Sequence, residues 1–250
     1  MDLIHDEDQI NKFFNLLTPL KPNEVYCLSM FARGKYLEKD EKIHLKNQRE
    51  KINYKIFKPT NSYINLVKSM EGVFFSKSGE QIPNKCIVFY AFFNPSSVIK
   101  ALRKFHIDLT NKIFDFHINE NSDKNFIDYD SKLMSYYQQE TSIRTFIDID
   151  FDLPPEGYDI LEKFIENMIK NKVEYYTIKT KNGYHVLLRR ETLKFNYNIH
   201  VQESNLESQT RFGTDKVEVV INNAGSVPLP GTKQAGFNVH FVDELSSPVK

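Results

Sequence analysis

The sequence predicts an α+β protein, because helical and strand patterns alternate along its 250 residues. Residues 161–169 place apolar side chains at positions i, i+3, i+4, i+7 and i+8, which is the spacing of an amphipathic helix. Strand patterns at 145–151, 173–179 and 184–189 surround this helix. The last two strands are joined around Asn182-Gly183, a dipeptide typical of tight hairpins. Together these segments give the element order β-α-β-β.

The first half of the chain contains its own helix and strand patterns. Apolar residues at 10–17 predict an amphipathic helix, which Pro19 and Pro22 would end. Strand patterns follow at 24–31 and 85–93. The second of these leads directly into a helical pattern, which makes a βα unit.

A change in composition divides the chain. Residues 119–142 are rich in Asn, Asp, Ser, Gln and Tyr and predict an exposed, partly disordered connection. We therefore expect an N-terminal αβ module over residues 1–118 and a second module over residues 143–250. The second module would end in another hairpin, with strands at 216–221 and 226–229.

Composition and charge limit the classes of function. Lys plus Arg and Asp plus Glu number 33 each, so the chain has no net positive charge that would by itself indicate nucleic-acid binding. Residues 31–60 are the most basic window, with nine Lys or Arg against four Asp or Glu, and fit either a solvated surface or a nucleic-acid contact. Cys27 and Cys86 are too few and too far apart for a disulfide framework or a cysteine zinc site. No apolar run approaches the length of a membrane helix, and we expect a cytoplasmic protein.

The first candidate motif is an acidic strand. Asp148, Asp150 and Asp152 occupy every second position of the strand at 145–151 and its end, so all three share one face. The bland interpretation is the solvent face of a half-buried strand. Like charges in a row repel one another, however, and paired Mg²⁺ or Mn²⁺ ions would relieve that repulsion.

The second motif follows on the next hairpin. Lys179 and Lys181 flank a basic turn, and His185 stands near the start of the strand beyond it. Most such turns are no more than solvated hairpin tips. The same backbone N–H groups, amines and imidazole could also hold a triphosphate.

The third motif is Glu218, which alternates with apolar neighbours and precedes the segment Pro228-Leu229-Pro230-Gly231-Thr232. Alone it would be an ordinary surface carboxylate. The three motifs are informative because each falls on a strand of one β-α-β-β-α-β pattern.

Over residues 145–235 this pattern resembles the catalytic core of the archaeo-eukaryotic primase superfamily, in which an RRM-like β-α-β-β-α-β module packs against an N-terminal αβ module. The resemblance implies that Asp148, Asp150 and Glu218 bind two Mg²⁺ or Mn²⁺ ions, with Asp215 as the alternative third acid. It implies that His185 contacts nucleotide phosphates. Lys179 and Lys181 would assist His185, although the residues before His185 depart from the usual glycine-rich run.

In proteins of this kind the N-terminal module helps to hold template and nucleotide, and Arg33, Lys35 and Asn94 resemble positions that could do so. The chain looks most like primase-polymerases of plasmids, viruses and CRISPR-associated loci. The resemblance therefore implies a nucleotidyltransferase that makes or extends primers from NTPs or dNTPs on single-stranded or primed DNA, in company with a helicase or another replication protein. No residue predicts a preference for ribose or deoxyribose.

Two other functions fit part of the pattern. A metal-dependent nuclease would use the same acids, but would leave the histidine turn unexplained. A non-catalytic RRM-like module has the same element order and would read bases with aromatic side chains on its sheet.

Overall fold

The computed structural model describes residues 3–37, 49–59, 62–76, 79–118, 129–215, 217–223 and 225–246. Its helices are α1 Glu7–Leu16, α2 Tyr63–Lys68, α3 Val98–Ile118, α4 Tyr129–Gln139, α5 Tyr158–Lys170 and α6 Tyr197–Phe212. Its strands are β1 Glu24–Arg33, β2 Arg49–Phe57, β3 Ile87–Phe92, β4 Ser96–Ser97, β5 Phe146–Asp152, β6 Tyr175–Lys179, β7 Tyr184–Arg189, β8 Glu218–Asn222, β9 Ser226–Pro228, β10 Lys233–Gln234, β11 Phe237–Asn238 and β12 His240–Phe241. The predicted α+β class is confirmed.

Two antiparallel sheets organise these elements. The first has the order β2-β1-β3-β9, with β4 paired to β1, and the second has the order β12-β6-β7-β5-β8. Along the chain, four strands of the second sheet alternate with two helices in the order β5, α5, β6, β7, α6 and β8. This is the element order that the sequence predicted. Because β5 lies between β7 and β8, any residue on β5 has neighbours on both sides.

The two faces of the second sheet have different environments. Ile149, Phe151 and Val186 face α5 and α6 and form an apolar cluster with helix residues such as Leu161 and Phe164. The opposite face contributes Phe146, Tyr176, Ile178 and Leu187 to a core that also contains α1 and the first sheet. The face that carries the β5 aspartates is therefore turned toward the rest of the molecule and away from α5 and α6.

Two segments that lacked clear patterns are regular elements. Residues 129–139, expected in an exposed connection, form α4, which packs on α3 and buries Met134 and Tyr137. The expectation of an exposed connection is wrong for these residues. The helix was not predicted because its few apolar residues stand among many polar ones. Residues 119–128 lie outside the described residues. In the basic window, residues 49–57 form β2 beside β1, while residues 38–48 lie outside the described residues.

The predicted C-terminal hairpin is divided between the sheets. Strand β8 pairs with β5, whereas β9 pairs with β3, so the chain passes from one sheet to the other between these two strands. Lys216 and Ala224, which the prediction included, lie outside the described residues. The expected boundary at residue 143 therefore does not separate the two sheets. None of the helices in the described ranges is both long and apolar enough to cross a membrane.

Asn94 joins the sheets rather than facing a ligand. Its Oδ1 accepts hydrogen bonds from the backbone N–H groups of Thr145 at 2.7 Å and Phe146 at 2.9 Å, and its Nδ2 donates to the carbonyl of Phe146 at 3.0 Å. The side chain is buried. The expected template or nucleotide contact by Asn94 is therefore wrong for this geometry, since three backbone groups already occupy the amide.

We expect Asn94→Ala to destabilise the fold by about 2 kcal/mol, because it leaves buried backbone groups without partners. Urea unfolding would measure the change, with the exposed Asn238→Ala as the matched control. A midpoint equal to that of the control would contradict this structural role.

Candidate active site

Strand register brings the predicted acids and the histidine onto one face of the second sheet. His185 on β7 lies opposite Asp150, and Glu218 on β8 lies opposite Asp152. Directly opposed residues on neighbouring strands point to the same side of a sheet. The structure thus unites Asp148, Asp150, His185 and Glu218, as the sequence predicted, and Asp152 lies on the same face.

Exposure increases along β5. The side chain of Asp148 is 0% exposed, that of Asp150 is 30% exposed, and Asp152 is exposed, as is Glu218. A solvent face would leave Asp148 in water, so the bland interpretation of the acidic strand fails at this residue. We call Asp150, Asp152 and Glu218 the acidic end of the site.

Asp148 holds the histidine in place. Its carboxylate lies 3.0 Å and 3.2 Å from Nδ1 of His185, and its Oδ2 accepts a hydrogen bond of 2.6 Å from Nδ2 of Asn222. The other ring nitrogen, Nε2, lies 3.7 Å from Oδ1 of Asp150, which is beyond hydrogen-bond distance. Nε2 of His185 therefore points toward the acidic end, while the carboxylate of Asp148 holds Nδ1.

The surrounding charges keep the imidazole protonated. Burial by itself lowers the pKa of His185, but the charge and hydrogen bond of Asp148 together with the charges of Asp150 and Asp152 raise it to about 9. Both ring nitrogens of a protonated histidine donate. His185 thus presents a cationic N–H to any anion at the acidic end.

The environment of Asp150 disfavours the charged form of its carboxylate. Burial raises its pKa to about 6, and the nearby charges of Asp148, Asp152 and Glu218 act in the same direction, while His185 lowers it. A carboxylate with such a pKa is held in an environment that disfavours its charge. Additional positive charge at the acidic end would relieve that cost.

Gly183 allows β7 to approach β5 at this point. A Cβ on Gly183 would overlap the backbone carbonyl of Phe151. Gly183 does not have a positive φ, and the backbone N–H of Thr180 donates to its carbonyl at 3.0 Å. The turn is therefore a four-residue loop rather than the expected tight Asn-Gly turn, and glycine is needed there for space.

Two lysines outside the strands lie near the acidic end: Lys35 follows β1, and Lys181 lies in the loop between β6 and β7. The pKa of Lys35 is lowered by burial and by the charge of Arg33, against the opposing attraction of Asp152 and Asp150. Nζ of Lys181 lies 5.0 Å from the ring centroid of Tyr36. Lys35 thus interacts electrostatically with Asp152 and Asp150, and Lys181 lines a groove together with Asp152.

Gln234 fixes the position of this cationic group. Its Oε1 accepts from the backbone N–H of Lys181 at 3.0 Å, and its Nε2 donates to the hydroxyl of Tyr36 at 3.0 Å. Arg33 donates from Nη1 to the hydroxyl of Tyr90 at 2.6 Å, which holds it near Lys35. The sequence did not identify Gln234 or Asn222, since their partners are distant along the chain.

Lys179 is directed elsewhere. It lies opposite Tyr184 on the face that packs on α5 and α6, and its Nζ is 3.7 Å from the centroid of the Tyr184 ring. Strand alternation sends it to the side opposite His185. The expected joint action of Lys179 and His185 on one phosphate is therefore wrong for this geometry.

The donor chemistry of the acidic end suits hard cations, which prefer carboxylate oxygens. In the part of the chain that the structure describes, no group of three His, Cys, Asp or Glu side chains is already gathered to hold an ion. Asp148 in particular has both oxygens bonded to His185 or Asn222. Residues with free access to a cation are Asp150, Asp152 and Glu218.

We expect the free energy of unfolding to depend on pH through His185. Because the folded pKa of His185, about 9, exceeds the ordinary histidine pKa of 6.5, its contribution is complete below pH 6.5 and is lost as the pH rises through about 9. The loss amounts to at most about 3 kcal/mol. Urea unfolding in metal-free buffer across this range should show the decline in the wild type and a flatter profile in His185→Gln. Equal slopes for the two proteins would refute the protonated state.

Comparison with known proteins adds no relative to this geometry. No protein-family model matches the chain, no curated protein matches it significantly, and no solved structure does so.

Proposed function

We propose that this chain is a template-dependent nucleotidyltransferase, a primase or primase-polymerase that makes or extends primers from NTPs or dNTPs. One observation supports this function most strongly. The acidic end on the second sheet meets the imidazolium of His185 and the amines of Lys35 and Lys181. Carboxylates and cations thus meet at one point, from elements distant in the chain.

A nucleoside triphosphate needs both kinds of group. Its phosphates require positive charge, and the divalent ions that accompany them require carboxylate oxygens. Neither a purely acidic nor a purely basic surface would satisfy such a ligand. The two-sided arrangement therefore favours a metal-polyphosphate over a simple anion or a lone cation.

The side chains divide the work as follows. His185 donates from Nε2 to a phosphate oxygen, while Asp148 and Asn222 orient its ring. Lys35 and Lys181 offset the remaining charge of the triphosphate. This assigns Asp148 to positioning, in place of the metal ligation that the sequence suggested.

The reaction is a displacement at phosphorus. The 3′-oxygen of the growing strand forms a bond to the α-phosphorus, the bond to pyrophosphate breaks, and the hydroxyl proton leaves to water. Mg²⁺ or Mn²⁺ ions held by Asp150, Asp152 and Glu218 would lower the pKa of the attacking hydroxyl and offset the charge of pyrophosphate. No covalent enzyme intermediate is required.

A non-catalytic RRM-like module is less well supported. Such modules bind bases on an open sheet face. Here the aromatic residues Phe146 and Tyr176 on that face are buried in the core shared with the first sheet. Aromatic stacking on the sheet would require this core to open.

The deciding experiment incubates the chain with a single-stranded template, labelled nucleotides and Mg²⁺ or Mn²⁺. We expect labelled products on addition of template and metal, and longer products than a supplied primer. Products shorter than the input would indicate a nuclease. Strong metal-independent RNA binding without incorporation would indicate an RRM-like module. A comparison of NTPs with dNTPs in the same assay would establish the sugar preference.

A further inference from the structure

A second group of cations lies on the other side of Asp148. A cavity of about 160 Å³ opens where β5 begins, with Asp148 in its lining. Arg144, Arg190 and Tyr197 also line it, together with Asn222 at the end of β8 and the following Asn223. This cavity is distinct from the acidic end, which lies further along β5.

The two arginines are positioned by the backbone. The N–H of Arg190 donates to the carbonyl of Thr145 at 2.8 Å, so the chain segments that bear Arg144 and Arg190 run side by side. Asn94 in turn accepts a hydrogen bond from the N–H of Thr145. A rigid junction of the two sheets thus presents both guanidinium groups.

Both arginines are available to a ligand. They are exposed, and none of the ion pairs among the described residues includes either of them. Solvent-exposed guanidinium groups that bear no carboxylate partner suit phosphate, which they can bind through two parallel hydrogen bonds.

The cationic surface continues beyond the cavity. A neighbouring groove of about 520 Å³ shares Arg144 and Arg190 and is also lined by Lys21. Two acids, Glu24 and Glu191, lie in the same groove. Glu24 is 4% exposed and accepts hydrogen bonds from Ser142 and from the N–H of Lys21, while Glu191 lies 3.9 Å from Arg189. Neither acid therefore neutralises Arg144 or Arg190.

A ligand with several phosphates fits this shape better than a single phosphate group. Two concavities share the same pair of arginines, and one of them ends at Asp148, beside the site of proposed nucleotide transfer. We propose that Arg144 and Arg190 bind consecutive backbone phosphates of single-stranded nucleic acid, which follows the groove into the cavity. The inference rests on the proposed function for the identity of the strand as template or primer.

The test measures binding to a fluorescently labelled single-stranded oligothymidylate in EDTA, as a function of salt. Compared with the wild type, R144A/R190A should lose about tenfold in affinity near 0.1 M salt, and its salt slope should fall by about 1.4, since each contact contributes about 0.7. The control R103A/R211A removes the same charge from exposed positions elsewhere and should match the wild type. Affinity for free nucleoside triphosphate should be equal in all three proteins.

Three results would overturn the inference: no binding by the wild type, an unchanged slope in R144A/R190A, or a loss of triphosphate affinity in place of strand affinity. A failure of the proposed function looks different. In that case the wild type would bind the strand more tightly than R144A/R190A, but the wild type would incorporate no nucleotide.

Discussion

Asp150→Asn is expected to abolish nucleotide incorporation and at the same time to stabilise the folded chain above pH 6. Activity should fall by at least about a hundredfold, because the substitution removes one of the three carboxylates that would hold the divalent ions. The free energy of unfolding should rise by about 1 kcal/mol. The neutral asparagine avoids the cost of a buried charge, and that cost is what raises the pKa of Asp150 to about 6. A purely structural residue would lose both quantities together.

The sign of this stability change depends on pH. The folded pKa of Asp150 exceeds the ordinary aspartate pKa of 3.8, so ionisation destabilises the folded state progressively between pH 3.8 and about 6. The stabilisation by asparagine should therefore be small near pH 4 and complete above pH 6. Primer extension and urea unfolding measure the two effects, with the exposed Asp8→Asn as control. Full activity in Asp150→Asn would remove Asp150 from the site.

Asp148 would give a less informative experiment. Its buried carboxylate accepts hydrogen bonds from Asn222 and contacts Nδ1 of the protonated His185. Removing it would leave a buried cation without its partner, which destabilises folds strongly. The structure thus gives the two aspartates different roles in stability. Loss of activity in an Asp148 variant would follow from misfolding as readily as from chemistry.

Local periodicity predicted the elements that position the site. Strand β5 and helix α5 were identified because their apolar residues recur at the intervals of a strand and a helix. The shared face of Asp148 and Asp150 followed from strand alternation alone. These features depend only on neighbours within a few residues, which a single sequence displays directly.

Features that depend on distant partners could not be predicted in this way. Asn222 was interpreted as a turn residue because Asp148, its partner, lies 74 residues earlier. Gln234 meets Tyr36 across 198 residues. Strand β2 was overlooked since its lysines interrupt the apolar alternation, and only pairing with β1 makes it a strand.

The position of Lys179 was an error that alternation could have prevented. Counting outward from the turn, Lys179 and His185 sit on strands whose register is set by the loop between them. A loop of four residues places Lys179 opposite Tyr184 and hence on the side opposite His185. The shorter Asn182-Gly183 turn expected from the sequence would pair Lys179 with Val186, which places Lys179 on that same side.

Gly183→Ala is expected to cost about 3 kcal/mol of unfolding free energy or more, the largest stability effect we predict. The added Cβ would overlap the backbone carbonyl of Phe151, which belongs to the interior strand β5, held between β7 and β8. To relieve the overlap, the start of β7 must move away from β5. Since His185 is two residues further along β7, its contact with Asp148 would lengthen as well.

The matched control is Gly72→Ala, whose Cβ would lie at an ordinary 3.7 Å from the ring of Phe74. Urea unfolding should show a large shift of midpoint for Gly183→Ala and almost none for Gly72→Ala. The histidine provides a second measurement, because a longer distance to Asp148 removes the charge that raises its pKa. In any Gly183→Ala protein that remains folded, the pKa of His185 should therefore fall from about 9 toward 6.5, measured by NMR titration. A wild-type midpoint with an unchanged histidine pKa would mean that β7 does not depend on glycine for its approach to β5.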